Sequence, residues 1–366
     1  MCGIIGGNLF QNRKSIRAAQ RLIMHRGYDA HDAVSINGFW MGHNRLSIQD
    51  LTSSANQPMW DSTERYCIVF NGELWKNTMK KFNQRLRKKY NFKTNNSDTE
   101  VFLYAYIEYG TSVFKDIDGM FSVVIYDSLT KKIVMVRDWV GRLPFYYLHK
   151  YEGIAFSSEM KALTETFTDS ATRVSIVEPS HYYEYDLCTG HLSKQRYFNI
   201  EESIPTSDEK LSVVTKKIKT LLDRAVDNEL IADVPVCTIL SGGIDSVLIT
   251  YLLKQKVKDL RAYVVNLGNS TGKDDLHYAR VAAEWMDIPL TEIKITKTAI
   301  AKKFRDSIWA AEMDSWTQIT PAVAQLFLAD KIHQDGYKVV FGGEGADELF
   351  GSYGNIQKMY FKQDTN

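Results

Sequence analysis

Cysteine and proline are scarce in this 366-residue chain, with four of the first and seven of the second. The cysteines, Cys2, Cys67, Cys188 and Cys237, fall into no zinc spacing and no disulfide framework, which points to a reducing, cytoplasmic setting. Long hydrophobic runs are missing, so no segment is read as membrane-spanning. The first residues lack the basic start and apolar stretch of a signal peptide. An excess of one charge is also missing. Against 45 Lys and Arg stand 44 Asp and Glu, leaving +1 and no argument for nucleic acid or an anionic membrane as partner. No low-complexity segment or internal repeat is evident. The composition that remains, 44% hydrophobic and 24% charged, is that of a soluble globular protein long enough for two domains.

The chain opens Met1-Cys2-Gly3. Removal of Met1 would leave one residue carrying both a thiol and a free α-amine. A free thiol has a pKa of about 8.5 and reacts as its thiolate, so it gains from a nearby base. An α-amine, with a pKa of roughly 7.7–8.0, is partly neutral near pH 7.5 and serves as that base, the logic of N-terminal nucleophiles. Taken alone, a cysteine at the head of an apolar run reads as a small core residue. The rest of the chain favours the nucleophile.

Short apolar runs at 3–9, 66–70, 120–126, 133–136, 145–148 and 153–156, bounded by turns such as Asn37-Gly38, Asn71-Gly72 and Asp118-Gly119, predict strands. Helical periodicity fits 15–24, 78–90 and 98–109, the last with Ser97 or Asp98 as cap. Together these predict an α+β layered domain over 2–198. A polar stretch with Pro205 marks a linker at 199–210. Over 211–366 helices at 211–230, 247–256, 277–286 and 321–334 alternate with strands at 236–240, 260–266, 290–295 and 338–341. That alternation predicts an α/β parallel sheet.

Two glycine-rich loops follow strands of the second half. Ser241-Gly242-Gly243-Ile244-Asp245-Ser246 opens a helix, and helix N-termini with close backbone approach suit a phosphate. Asp245 repels an anion unless a cation intervenes, which points to Mg²⁺. Gly343-Glu344-Gly345-Ala346-Asp347-Glu348 follows the last strand. Adjacent parallel strands would bring it to the same edge, where Asp347 would share the metal and Glu344 would do acid–base work. Read without context, the first loop is equally a serine-capped glycine turn and the second a solvated acidic turn.

The ordered set Met1-Cys2-Gly3, His25-Arg26-Gly27, His43 to Ile48, Gln57-Pro58, Asn71-Gly72-Glu73, Ser97 to Glu100, Asp118 to Phe121, Arg137-Asp138 and Ser158 to Leu163 resembles a class II glutamine amidotransferase domain of the N-terminal-nucleophile αββα type. Asp233-Val234-Pro235, the 241–246 loop and the 343–348 run resemble a PP-loop pyrophosphatase domain. Their shared order resembles the glutamine-dependent asparagine synthetases over nearly the whole chain.

That resemblance implies roles. Cys2 would attack the glutamine side-chain amide, with Asn71 and Gly72 as the oxyanion hole. Arg45 would fork onto the α-carboxylate of glutamine. Asp98 and Glu73 would hold its α-ammonium, and Arg26 would lie nearby. Ammonia would pass to the second domain, where ATP adenylates aspartate. There Ser241, Gly242, Gly243, Asp245 and Ser246 would hold pyrophosphate. Leu240, Val265 and Gly343 would surround adenosine, Asp245 and Asp347 would bind Mg²⁺, and Glu344 would be the general base.

Departures from the family are Tyr28 for a usual proline, Asn266 for a usual glycine and Gly342 for a usual serine. Family members also continue beyond the equivalent of Tyr353, with helices and a lysine that neutralises charge during adenylation. On that ground Mg·ATP binding with weak asparagine formation is expected of the chain alone, with full activity from a partner chain or homodimer. The alternatives are a glutaminase with an inert synthetase half and an amidotransferase for another carboxylate.

Overall fold

The computed structural model describes residues 1–167, 173–200, 209–266, 275–313 and 315–352. Most of the expected linker, and the stretch beyond Ser352, lie outside these residues. Two compact units are formed, one from 1–218 with 228–233 and the other from 219–227 with 234–366.

The first unit is built on two antiparallel sheets. One has the order β10 (Ser175–Ile176), β8 (Tyr146–Lys150), β9 (Gly153–Ser157), β1 (Gly3–Gly7), β3 (Phe39–Arg45), β2 (Ala30–Ile36). The other runs β12 (Leu192–Arg196), β11 (His181–Asp186), β7 (Lys132–Arg137), β6 (Gly119–Asp127), β5 (Tyr66–Leu74), β4 (Met59–Trp60). Their facing sides share one core: Ile4, Phe39, Met41 and Phe156 from the first sheet meet Val69, Val124 and Met135 from the second. On the outer face of the first sheet α1 (Arg13–Leu22) and α4 (Met160–Thr164) cover Ile5 and Ala155 with Ile16, Ala19 and Leu163. On the outer face of the second, α2 (Lys76–Leu86) and α3 (Asp98–Tyr109) bury Phe82, Phe102 and Leu103 on Phe70, Val123 and Val136. Apolar residues alternate along β5 because each of its faces meets a different layer, which is the αββα order expected.

The sequence pattern missed the β2–β3 hairpin. Asn37 and Gly38 both take positive φ, 51° and 84°, as a two-residue hairpin turn requires. The strands went unread because β3 ends in His43, Asn44 and Arg45, three polar residues that are nonetheless buried. Ser97 is the N-cap of α3 by position, but its side chain makes no capping bond.

The second unit has a parallel sheet of order β15 (Leu290–Lys294), β14 (Ala262–Asn266), β13 (Val236–Ile239), β16 (Val339–Phe341). On one face Ala262 and Val264 pack on α7 (Asp275–Trp285) through Ala279 and Ala283, with α6 (Ile244–Lys254) adding Val247. On the other, Cys237 and Tyr263 pack on Leu328 and Ile332 of α9 (Trp316–Gln334). A further helix, α8 (Lys297–Ala311), packs on α9 and was not read from the sequence. α5 (Leu211–Glu229) joins the units and α10 (Ala346–Phe350) follows β16.

Candidate active sites

Cys2 stands immediately before β1, the strand flanked on both sides by β3 and β9. Its Sγ accepts from the Leu46 N–H at 3.4 Å and lies 3.7 Å from the Leu46 carbonyl oxygen. Burial pushes the thiol up, against the opposing effects of the terminal amine and the Leu46 N–H. Burial pushes the α-amine, here that of Met1, down to about 6. Both shifts favour the uncharged forms, a protonated thiol and a neutral amine.

Asn71 and Gly72 lie on β5. Gly72 lines the same pocket as Cys2. A Cβ there would come within 2.1 Å of the Met120 carbonyl oxygen, so β6 permits only glycine. Asn71 is fully buried opposite Ser122, and neither end of its amide makes a hydrogen bond within the protein. A buried amide left unpaired costs about 1–3 kcal/mol, an arrangement kept where a ligand completes it. His43, on β3, donates from Nε2 to the Phe70 carbonyl at 3.2 Å and so ties the two sheets together beside Asn71. Burial holds this imidazole neutral, at a pKa of about 3.

The pocket wall includes Leu46, Ile48 and Gln49 together with Glu73 and Asp98. Arg45 lines it, but its guanidinium faces its own loop. Nη1 donates to the Thr52 carbonyl at 2.7 Å and Asn56 Oδ1 at 2.8 Å, while Nη2 reaches the carbonyls of Gln49 and Asp50. The left-handed turn at Asp50, φ 48°, contributes to aiming these carbonyls inward. The fork expected for a substrate carboxylate therefore also builds the loop. Gln49, which the motif reading passed over, donates from Nε2 to both Glu73 and Asp98. No sequence signal marks it, because it lies one residue beyond the motif that ends at Ile48. Burial pushes Glu73 well above the carboxylate range, and the charge of Asp98 adds to this. Burial likewise raises Asp98 to about 6, although the Leu74 and Thr99 N–H groups oppose it.

Arg26 supports Cys2 through its main chain. Its Nε donates to the Cys2 carbonyl at 2.8 Å and its Nη1 to Glu159 at 3.0 Å. Glu159 also accepts from His25 at 2.9 Å and pairs with Lys161 at 2.7 Å. Burial acts to raise Glu159, but these three partners outweigh it and hold the carboxyl at about 2.

In the second unit Thr238 of β13 pairs with Phe341 of β16, so the two glycine-rich loops leave adjacent strands at one sheet edge. Ser241 and Ser246 hydroxyls are 3.0 Å apart across the first loop. Gly242, at φ 92°, abuts α7, where a Cβ would meet the Asp275 carbonyl at 2.3 Å. The second loop lies directly on the first, since a Cβ on Gly343 would come within 2.9 Å of Asp245 Cβ and 3.0 Å of the Ser246 nitrogen. Asp245 stands in the first turn of α6, where N–H groups have no helical acceptor, and Asp347 in that of α10. Leu240 is buried, Val265 half-buried and Glu344 exposed. Asn266 donates to Glu292 at 3.2 Å. Among the described residues no group of three or more His, Cys, Asp or Glu is placed to hold a metal. Two carboxylates beside glycine-rich loops nonetheless suit Mg²⁺, which takes few protein ligands and completes its shell with phosphate oxygens and water.

Residues 1–215 match the model of the glutamine amidotransferase domain, and residues 217–366 that of asparagine synthase. The chain belongs to the glutamine amidotransferase family. This amidotransferase chain is 28% identical to amidase chry2 of Gibberella zeae, over 96% of its own length and 57% of the relative's. It is 29% identical to asparagine synthetase 2 of Oryza sativa subsp. japonica, over 100% and 61%. With a probable asparagine synthetase of Schizosaccharomyces pombe it shares 30% identity, over 93% and 62%. The chain thus spans between 57% and 62% of the length of these curated relatives. Among described residues no helix is long and apolar enough to cross a membrane.

Proposed function

We propose that the chain is a cytoplasmic, glutamine-hydrolysing, ATP-dependent carbon–nitrogen ligase of the asparagine synthetase type. The observation that carries this reading is one pocket uniting the Cys2 thiol, the Gly72 backbone and two carboxylates raised by burial. A substrate ammonium between Glu73 and Asp98 would stabilise their charged forms and bring both pKa values down. With glutamine so held, Cys2 attacks the side-chain amide, ammonia leaves, and water hydrolyses the thioester to glutamate. Asn71 and the Gly72 N–H face the developing oxyanion. Arg45 meets the α-carboxylate with whatever donor capacity its loop leaves.

In the second unit the 241–246 loop with Leu240, Val265 and Gly343 takes ATP, and Asp245 and Asp347 hold Mg²⁺, which neutralises phosphate charge. The aspartate carboxylate attacks the α-phosphate and pyrophosphate leaves. Ammonia then displaces AMP, with Glu344 taking the proton. An acceptor screen with ATP and glutamine, reading pyrophosphate, tests this. Release that depends on aspartate is expected. Release on a different carboxylate would move the chain toward the amidases it also resembles, and none at all would leave a glutaminase.

A second reading is a subunit completed by a second copy or a partner chain. It is favoured by exposed apolar side chains on α6 and α7, Leu248, Tyr251, Tyr278, Val281 and Trp285, with Tyr251 and Trp285 stacked at 5.5 Å. Mass measurement in solution distinguishes the two.

A further inference from the structure

The stretch 228–233 belongs to the first unit although the residues on either side of it belong to the second. It is pinned at several points. Asn228 accepts from the Asn77 N–H at 2.7 Å and donates to Asp118 at 3.0 Å. Glu229 meets both terminal nitrogens of Arg142, at 3.1 and 3.3 Å. Ile231 packs on the core beneath α2 and α3. The stretch ends at Asp233, which makes two bonds to the glutamine-pocket loop. Its N–H donates to the Ile48 carbonyl at 2.9 Å, and its Oδ2 accepts from the Asp50 N–H at 2.8 Å.

These two bonds bracket one residue. Gln49, between Ile48 and Asp50, is the side chain that reaches both Glu73 and Asp98. The rest of the loop has its own supports, Cys2 Sγ at the Leu46 N–H and Asp29 at the Ser47 N–H, 2.7 Å away. The charge of Asp233 also contributes to raising Glu73, which places it within electrostatic reach of the ammonium site. Geometry, through Gln49, and charge therefore both act at Glu73.

We propose that Asp233 is a positioning residue for glutamine recognition, acting through Gln49. The inference rests on the reading of the first unit as a glutaminase. Asp233 touches neither substrate nor the reacting atoms. It fixes the backbone on either side of Gln49, so the amide is held against Glu73 and Asp98 before glutamine arrives. A loop that must instead be ordered on binding weakens affinity without altering the chemistry at Cys2.

The test is steady-state glutamate release by the full chain carrying Asp233→Ala, Asp233→Asn, Gln49→Ala and the Asp233→Ala/Gln49→Ala pair. Asp233→Ala is expected to raise the glutamine KM by about three- to tenfold, the loss of roughly one hydrogen bond, with kcat within about twofold. Asp233→Asn keeps an acceptor for the Asp50 N–H and is expected to recover most of the affinity. In the Gln49→Ala background the further change at Asp233 is expected to add little, because the side chain it positions is gone. A KM unchanged by Asp233→Ala, or effects that multiply in the double variant, would overturn the proposal. If Asp233→Ala does not fold, Asp233→Leu, which also lacks the acceptor for the Asp50 N–H, replaces it in the two backgrounds, with non-multiplying effects upholding the proposal and multiplying effects overturning it. Failure of the unmodified chain to release glutamate would overturn the glutaminase reading instead.

Discussion

Arg26 donates from Nε to the main-chain carbonyl oxygen of Cys2 at 2.8 Å. The bond fixes the peptide that carries the Cys2 thiol, and Glu159 in turn fixes Arg26. Glu159 is 4% exposed and sits among His25, Arg26 and Lys161. Its folded pKa of about 2 lies below that of an unfolded glutamate. Its contribution to stability is therefore complete above about pH 4.3 and is lost as pH falls toward 2. Glu159→Gln leaves buried cations without their counter-charge and should cost about 3 kcal/mol at pH 7. Urea denaturation at pH 7 and pH 3 checks this. The difference between variant and parent should shrink at the lower pH.

The thiol itself gives the plainest expectation. Cys2→Ala should abolish glutamate release while leaving ammonia-dependent synthesis in place, since the second unit makes no use of it. Intact mass should show that Met1 is absent from active protein. Active protein that retains Met1 would remove the terminal amine from the mechanism.

Much of this was legible in the chain, and the reasons differ by element. The α+β layering of the first unit followed from apolar runs with turns between them, its αββα type from the family motifs, and the parallel sheet from strand–helix alternation. The β2–β3 hairpin escaped because β3 places His43, Asn44 and Arg45 in the interior, where pattern reading expects apolar residues. Cys2, Arg45, Gly72, Glu73 and Asp98 were named from motifs, and the fold gathers them around one pocket. Gln49 and Asp233 could not be seen as partners. They are linked by bonds from Asp233 to the main chain of Ile48 and Asp50, 185 and 183 positions away, which the side-chain identities at 48 and 50 do not encode.

The acid pair predicts a pH dependence of recognition. Asp98 is raised to about 6 and Glu73 is raised with it. Unfolded carboxyls titrate near 4, so between about pH 4 and 6 the ligand-free folded protein binds more protons than the unfolded chain. The pair's contribution to stability then falls as pH rises through that window. Glutamine's ammonium favours the ionised pair, so binding should release protons there, and KM should climb as pH drops below about 6. Kinetics from pH 5 to 8, with calorimetry in buffers of different ionisation enthalpy, measures both. A KM flat across pH 6 would refute the pairing.

Gly343 separates the two activities. Alanine there would drive a methyl into Asp245 and the Ser246 backbone. Overpacking of this kind costs about 1–3 kcal/mol, and the loops can relieve it only by parting. Gly343→Ala should weaken Mg·ATP binding about tenfold or more in calorimetry and leave glutamate release unchanged. Parallel loss of both activities would mean that the unit had unfolded.

The placement of β1 has a consequence for biosynthesis. Its neighbours are β3 and β9, its Ile4 exchanges hydrogen bonds with Ser158, and Arg26 is held by Glu159. A ribosome must therefore pass residue 159 before Cys2 has a fixed position. At about 5–20 residues per second that interval is roughly 8–30 s. Throughout it the nascent N-terminus is open to the peptidase that would trim it. Under the proposed mechanism, exposure of the amine thus precedes the assembly of the pocket in which it would act as a base.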